Sequence, residues 1–189
     1  SKQDWDEGIR SSKHIADFLR SIKHDNFADR VSLIQLHNGE HSVNGLDHYK
    51  FTLTDQETVE TVTPTIESLR KGMPLSMLID VIHTMGIEKH TSVCIPDVSK
   101  TVHDHNLRTF RSIYFTPNKT KSVYFFPVVD AYGYFFAVGM VEYVNQPYEM
   151  EVERVGLIER EFLRLGGVLT MDKRKCKKPL LERLMDVFR

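Results

Sequence analysis

Cysteine is scarce in this chain, and its scarcity excludes a disulfide scaffold. The 189 residues contain only Cys94 and Cys176, which lie far apart in the sequence. Proteins held together by disulfides carry several closely spaced cysteines. Stability must therefore come from a hydrophobic core, and a reducing compartment, the cytoplasm, is the expected location. We expect Cys94, on a short strand, to be a small buried hydrophobe.

Long apolar runs and an excess of one charge are also missing. No apolar run reaches the roughly 18 residues of a membrane span. The net charge of −1 gives no overall field that would attract nucleic acid. The chain opens on Ser1 rather than Met, so an upstream anchor that would hold it on the cytoplasmic side of a membrane stays an alternative.

The common signatures of enzymes are absent. The sequence contains no GxSxG, HExxH, GxxxxGK[ST] or GxGxxG, and no catalytic residue is predicted. His103 with His105, and His37 with His41, could supply metal ligands. No spacing matches a structural zinc site, so we expect histidines that face solvent or form hydrogen bonds, and no metal site.

A predicted hairpin over Lys121–Val144 organises the rest of the chain. Two runs rich in Val, Tyr and Phe flank a link of Asp130, Ala131, Tyr132 and Gly133, and such a link suits a tight turn. Both runs are too apolar for strands that expose one face to solvent. Other elements must therefore cover both faces of the hairpin.

A second strand pair precedes the hairpin. Arg30–His37 alternates, with Val31 and Leu33 on one face and Ile34 on the other, and Tyr49–Leu53 is its predicted partner. Asp55–Thr61 is polar and is predicted to be a connection.

Helices and short elements fill the remaining sequence. Apolar residues at helical spacing predict two long helices, Trp5–His24 and Glu149–Thr170. Gly166 and Gly167, near the end of the second, would allow another backbone to approach closely. Shorter elements are predicted as helices after Thr63, over Pro74–Met85 and over Val102–Phe110, as a strand over Thr91–Ile95, and as a loop over Tyr114–Thr120.

The pattern predicts three regions. Residues 1–26 form an N-terminal helix, 27–170 a domain with its closing helix, and 171–189 a basic linker followed by a short amphipathic helix that begins at Pro179. Such a tail suits a partner groove or an anionic membrane surface. Binding of nucleic acid is not expected.

The order of elements resembles that of the GAF domains, sensory modules related to PAS domains. The resemblance rests on RVSLIQLHNG at Arg30–Gly39, CIPDVS at Cys94–Ser99 and VYFFPVVDAYGYFFAVGMVEY at Val123–Tyr143. It implies an α+β fold, in which helices flank a central antiparallel sheet of five or six strands and the two terminal helices pack together. The NKFDE-type pattern of the cyclic-nucleotide subtype and the Cys-His pair of the bilin-binding subtype are absent.

The resemblance implies a non-catalytic regulatory or sensory module that binds a small molecule or a protein partner. Its pocket would lie over the sheet, near the loop after Ile95, and the residues expected there are Asp97, His103, His105, Phe110 and Tyr114. One alternative is an interaction module, of viral or phage origin among others, whose pocket is filled by side chains. Another is a reductase of the GAF-like methionine sulfoxide type, disfavoured because those enzymes use several cysteines near the pocket.

The two long helices also predict a homodimer. Their apolar stripes are longer than a small sheet can cover, and in the family they often pair with a second copy. The residues expected at that contact are Ile15, Leu19, Ile22, Val155, Phe162 and Leu165.

Overall fold

The computed structural model describes residues 2–41, 47–85, 91–100, 107–133 and 135–170, with side chains from residue 10 onwards except at 38–41, 47 and 48 and, before that, only at Gly8. The helices are α1 (Lys2–Asp25), α2 (Ile79–His83), α3 (Arg108–Phe110) and α4 (Val152–Thr170). The strands are β1 (Arg30–His41), β2 (Asp47–Thr58), β3 (Met73–Pro74), β4 (Val93–Ile95), β5 (Ser122–Val129) and β6 (Phe135–Tyr143).

The six strands form one antiparallel sheet in the order β3-β2-β1-β6-β5-β4. The predicted α+β architecture is confirmed. Strands β1 and β6 lie at the centre, where Arg30 pairs with Glu142 and Gln35 with Ala137. Their apolar residues on both faces explain this position, because each face is covered by helices.

Two cores lie on opposite faces of the sheet, as the alternation in β1 predicts. Val31 and Leu33 pack with α1 and α4, whereas Ile34 packs on the other face with Phe51 and Phe110. The first core is a layer of two long helices. The second is covered by short helical segments, which the chain places between β2 and β5.

Phe162 of α4 lies at the centre of the layer formed by the long helices. Its ring stacks on Phe126 of β5 with 5.4 Å between centroids and meets the edge of Phe18 of α1 at 5.1 Å. Gly139 of β6 makes room for it, because a Cβ at that position would overlap the Phe162 ring. The two terminal helices therefore pack together, as the family resemblance implies.

Several boundaries differ from those that the sequence predicts. Strand β2 runs to Thr58, so the predicted connection from Asp55 is strand: after a bulge at Thr54, it keeps pairing with β1 as far as Arg30. Backbone pairing across the sheet outweighs the polar composition of this segment.

The predicted helices before β4 are shorter than expected. A 3₁₀ turn, Ile66–Leu69, replaces the helix after Thr63, since the chain must turn back into β3 at Met73. Pro74 is part of β3, and the helical residues after it divide into a 3₁₀ turn, Leu75–Leu78, and α2. Helix α3 continues as a π-helical stretch, Arg111–Phe115, so the predicted loop after Tyr114 begins inside a helix.

The hairpin turn is as predicted. Gly133 adopts φ +85°, and its N–H donates to the Asp130 carbonyl at 3.0 Å. The Asp130 carboxylate accepts a hydrogen bond from the Tyr132 N–H at 2.8 Å. Within the described residues no helix has the length and apolar character that crossing a membrane requires.

Candidate functional site

The loop after β4 folds around its own aspartate. Asp97 Oδ1 accepts hydrogen bonds from the Ser99 hydroxyl at 2.6 Å and the Ser99 N–H at 3.0 Å, and Lys100 Nζ lies 3.3 Å from Oδ2. The bond from the Ser99 hydroxyl is the main reason that the pKa of Asp97 is lowered, and Lys100 adds to it. In this conformation the carboxylate stabilises a turn.

Phe110 and Tyr114, expected in the wall of a pocket, are fully buried. The Phe110 ring stacks on Tyr114 with 5.0 Å between centroids and meets the edges of Phe115 at 4.9 Å and Phe51 at 5.9 Å. The structure therefore brings these two residues together as core. His103 and His105 lie outside the described residues.

The Tyr114 hydroxyl is part of a buried polar network. It donates to Glu142 Oε2 at 2.9 Å and lies 2.8 Å from Thr65 Oγ1, which accepts from Gln56 Nε2 at 2.8 Å. Burial, and next the negative charge of Glu142, raise the pKa of Tyr114 well above its usual value. The phenol therefore stays neutral and ties its helix to the central strand β6.

A buried ion pair forms the other half of this network. Arg30 and Glu142 are 1% and 0% exposed, and 3.0 Å separates Arg30 Nη2 from Glu142 Oε1. Glu142 Oε1 also accepts from the Thr120 hydroxyl at 2.7 Å. The guanidinium donates to the carbonyls of Thr63 at 3.2 Å and Asn118 at 3.0 Å. The pair thus fastens two loops to the ends of β1 and β6.

Sequence reasoning did not select Arg30 or Glu142. The available signal was a single arginine at the start of the Arg30–His37 run and a single glutamate in the apolar second run of the hairpin. Charged residues are rarely fully buried unless they are paired. Their pairing depends on strand order, which the sequence pattern did not specify.

A cavity of about 390 Å³ opens beside this ion pair. Arg30 lines it, together with the loops at Thr61–Thr63 and Pro117–Lys119 and the two residues that follow β6, Val144 and Asn145. We call it the Arg30 cavity. Its walls come from four separate segments and are mostly polar, and it lies within the size range of small-molecule sites.

A second cavity, of about 330 Å³, adjoins β4 and the start of α4. Cys94 lines it and is exposed, so the expectation of a buried core residue is wrong. Val93 and Ile95 point into the core from this three-residue edge strand, and alternation turns Cys94 to the opposite face. Partial enclosure raises the pKa of the thiol, an effect larger than that of its hydrogen bond with Ser92.

The residues predicted to contact a second copy lie in the hydrophobic core of the chain itself. Leu19 and Phe162 are fully buried against the sheet, and Ile15, Ile22 and Leu165 are buried with them. Val155 is partly buried in the same cluster. A second copy would therefore have to use other residues of the two helices.

No metal site is assembled by the part of the chain that the structure describes, where no three His, Cys, Asp or Glu residues lie close enough to share an ion. His37 forms a 2.6 Å hydrogen bond between its Nε2 and Thr52 Oγ1. The side chain of His41, its expected companion, lies outside the described side chains.

Comparisons with solved structures identify the fold. The blue-light-absorbing form of the PixJ GAF domain from Thermosynechococcus elongatus superposes with a TM-score of 0.63 over 96% of this chain and 92% of that chain, at 12% identity. A far-red cyanobacteriochrome photoreceptor superposes with a TM-score of 0.64 over 91% of this chain and 94% of that chain, at 15% identity. GAF3 of Slr1393 from Synechocystis superposes with a TM-score of 0.59 over 94% of this chain and 99% of that chain, at 14% identity.

The sequence itself has no comparable match. No model of a known protein family and no curated protein matches it. At the identities of the solved structures, the likeness shows the fold alone. The chain has the GAF-domain fold.

Proposed function

We propose that this chain, a GAF-like fold, is a non-catalytic regulatory module that responds to a protein partner or a second copy rather than to a molecule held over its sheet. The observation that carries the proposal is the packing of Phe110 and Tyr114. Both were expected to face a ligand, and both are buried: Phe110 packs against Phe51 and Phe115, and Tyr114 packs against Phe110 and Phe115.

The layer around these rings supports the same conclusion. Leu75, Leu78, Val81, Ile82 and Met85 from the short helical segments are buried in one cluster with the sheet residues Ile34, Val138 and Met140. Buried side chains in protein interiors are closely packed, so we infer that this cluster takes up the volume that a ligand over the sheet would need. A ligand would have to displace them.

The chemistry of Cys94 supports a non-catalytic role. A reductase of the sulfoxide type needs a nucleophilic thiolate, and nucleophilic cysteines have lowered pKa values. The pKa of Cys94 is raised instead.

We propose that the terminal helices carry the surface that contacts the partner. They lie side by side on one face of the sheet, and the outward side of α4 leaves Leu157 and Val168 each 46% exposed. These residues are eleven apart, about three helical turns, and so lie on one side of the helix. We propose that this side pairs with a second copy, and that residues 171–189 offer a further contact for a protein partner in the cytoplasm.

A thermal-shift screen tests the filled pocket. Nucleotides, amino acids and divalent metals are added to the native chain and to the variant His103→Ala/His105→Ala. No stabilisation that depends on these histidines is expected. A ligand at 100 times its dissociation constant would stabilise by about 2.7 kcal/mol, so a shift present in the native chain and lost in the variant would refute the proposal.

A further inference from the structure

We propose that the cavity between β4 and the start of α4 binds a small organic cation, an amine that carries a short apolar chain. We name it the Cys94 cavity after the thiol in its wall. The inference goes beyond the proposed function and does not depend on the filled pocket. This cavity lies on the face of the sheet that the long helices cover, and it shares no lining residue with the layer around Phe110.

The walls of the Cys94 cavity suit an apolar chain. Apolar atoms from four parts of the chain line it: Pro96 after β4, Tyr124 of β5, Met150 before α4, and Val152 and Val155 of α4. Its volume of about 330 Å³ lies within the range of small-molecule sites, which combine apolar walls with a few polar groups. Val152 is 87% exposed, so the described part of the chain leaves this wall open to a ligand.

The charges at the cavity are negative and do not cancel. Among the described residues that line it, Glu149 alone is charged at neutral pH. A second carboxylate, that of Glu159, lies beside the cavity, where its Oε2 accepts from the Ser92 N–H at 2.9 Å. Neither glutamate forms an ion pair with another described residue. The electrostatic potential at the cavity therefore favours a cation.

The N-terminus of α4 does not reverse this sign. The helix dipole places about half a positive charge there, whereas Glu149, Glu151 and Glu153 each carry a full negative charge close to the first turn. Arg154, the first basic residue of α4, is exposed and does not line the cavity. Even with its charge included, the sum stays negative.

Two titratable groups in the wall respond to this negative charge. Burial is the main cause of the raised pKa of Cys94, and the charge of Glu159 raises that pKa further. Burial likewise raises the pKa of Tyr124, and the charge of Glu149 adds to the effect. Both glutamates therefore act on groups that face the cavity.

The hydrogen bonds at the cavity use its donors and leave an acceptor. The N–H of Ser92 already has its carboxylate, the N–H of Met150 donates to the Tyr124 hydroxyl at 2.9 Å, and that hydroxyl donates to the Tyr148 carbonyl at 2.6 Å. The carboxylate of Glu149 accepts no hydrogen bond from any other residue that the structure describes. An ammonium group carries donors only, so it complements this carboxylate.

The direct test is a titration of the ¹⁵N-labelled full chain, followed by NMR, with three probes of nearly equal size. The probes are pentylammonium chloride, pentan-1-ol and sodium pentanoate, and sodium chloride at equal ionic strength is the reference. We expect pentylammonium to give saturable shifts at the amides of the cavity wall, which are those of Ser92, Cys94, Tyr124, Met150, Val152 and Val155.

The order of the three affinities decides the charge of the ligand. The dissociation constant of pentylammonium should be about fivefold lower than that of pentan-1-ol, which is the effect of one partly exposed ion pair. Pentanoate should bind least. Shifts that do not saturate, equal affinities for all three probes, or tighter binding of pentanoate at the N-terminus of α4 would overturn the proposal.

Variants of two glutamates separate a site from general attraction. Glu149→Gln keeps the shape of the side chain and removes its charge, so pentylammonium should bind about fivefold more weakly, like the alcohol. Glu151→Gln removes an equal charge from the same end of α4, but Glu151 does not line the cavity, and its loss should change the affinity little. Both positions are exposed, so both variants should fold. An unchanged affinity in Glu149→Gln, or equal losses in the two variants, would contradict the proposal.

The same variant keeps this proposal distinct from the filled pocket. An amino acid that stabilises the native chain through the Cys94 cavity loses its effect in Glu149→Gln and keeps it in His103→Ala/His105→Ala. The opposite pattern would refute both proposals for that ligand.

Discussion

At the scale of single residues, two neighbouring glycines of α4 have opposite surroundings. A Cβ at Gly166 would fall on the carbonyl oxygen of Val129, whereas one at Gly167 would meet nothing within 4 Å. The pattern of two glycines predicted a close backbone approach, and the structure confirms it at Gly166 only.

This contrast makes a matched pair of variants. Gly167→Ala should stabilise the chain by up to about 1 kcal/mol, because alanine favours the helix. Gly166→Ala should destabilise it by about 1–3 kcal/mol, since α4 must move away from β5. Urea unfolding measures both, and equal effects at the two positions would contradict the packing described.

Phe27 is a second residue of interest, because it adopts a left-handed backbone conformation that a bulky side chain disfavours. It follows α1 with φ +51° in a Schellman motif, in which its N–H donates to His24 and that of Ala28 donates to Lys23. Its side chain is 85% exposed, so little burial offsets the strain.

Phe27→Gly should therefore stabilise the fold, by about 1 kcal/mol, or roughly 2–4 °C in the thermal midpoint of a chain of this size. Phe27→Ala, which keeps the Cβ, serves as the control and should change stability less. Loss of stability in the glycine variant would show that the Phe27 ring makes contacts that its exposure does not indicate.

At the scale of elements, Tyr114 connects the π-helical stretch to β6. Its raised pKa means that the folded state keeps the phenol proton longer than the unfolded chain, where it leaves near pH 10. This contribution to stability is therefore complete below pH about 10 and is lost as the pH rises toward the folded pKa.

Tyr114→Phe should lower stability at pH 7 by about 1–3 kcal/mol, because Glu142 loses a donor. Above pH 10 the difference in unfolding free energy between the two proteins should shrink by up to about 1.4 kcal/mol per pH unit. The reason is that Tyr114 ionises in the unfolded native sequence, which lowers its stability, whereas the phenylalanine of the variant cannot ionise. Urea unfolding between pH 7 and 11 tests this, with the exposed Tyr132→Phe as control. A constant difference across that range would exclude the proposed linkage.

At the scale of the whole molecule, the homodimer stays a prediction, and the structure changes how it should be tested. Leu19→Asp or Phe162→Asp would place a charge in the core and unfold the chain rather than separate two copies. The informative positions are the exposed ones on α4.

Light scattering at tens of micromolar should give twice the mass of the chain for the native protein, and the monomer mass for Leu157→Asp/Val168→Asp with an unchanged circular dichroism spectrum. Val152→Asp, on another side of the helix and 87% exposed, should remain dimeric. A native protein with the mass of one chain would reject the dimer.

The sequence by itself determined the features that depend on neighbours along the chain. Alternation in β1, the apolar hairpin with its Asp and Gly turn, and the stripes of α1 and α4 are all local patterns, and each appears in the structure. Their order was enough to indicate the sheet and the fold.

Tertiary structure decided everything that depends on contacts between distant residues. Arg30 and Glu142 are 112 positions apart, and only the pairing of β1 with β6 joins them. The pairing of β2 with β1 keeps β2 extended to Thr58, and the edge position of β4 turns Cys94 outward. Whether Phe110 lines a pocket or fills it depends on the packing of several segments at once, which no local periodicity encodes.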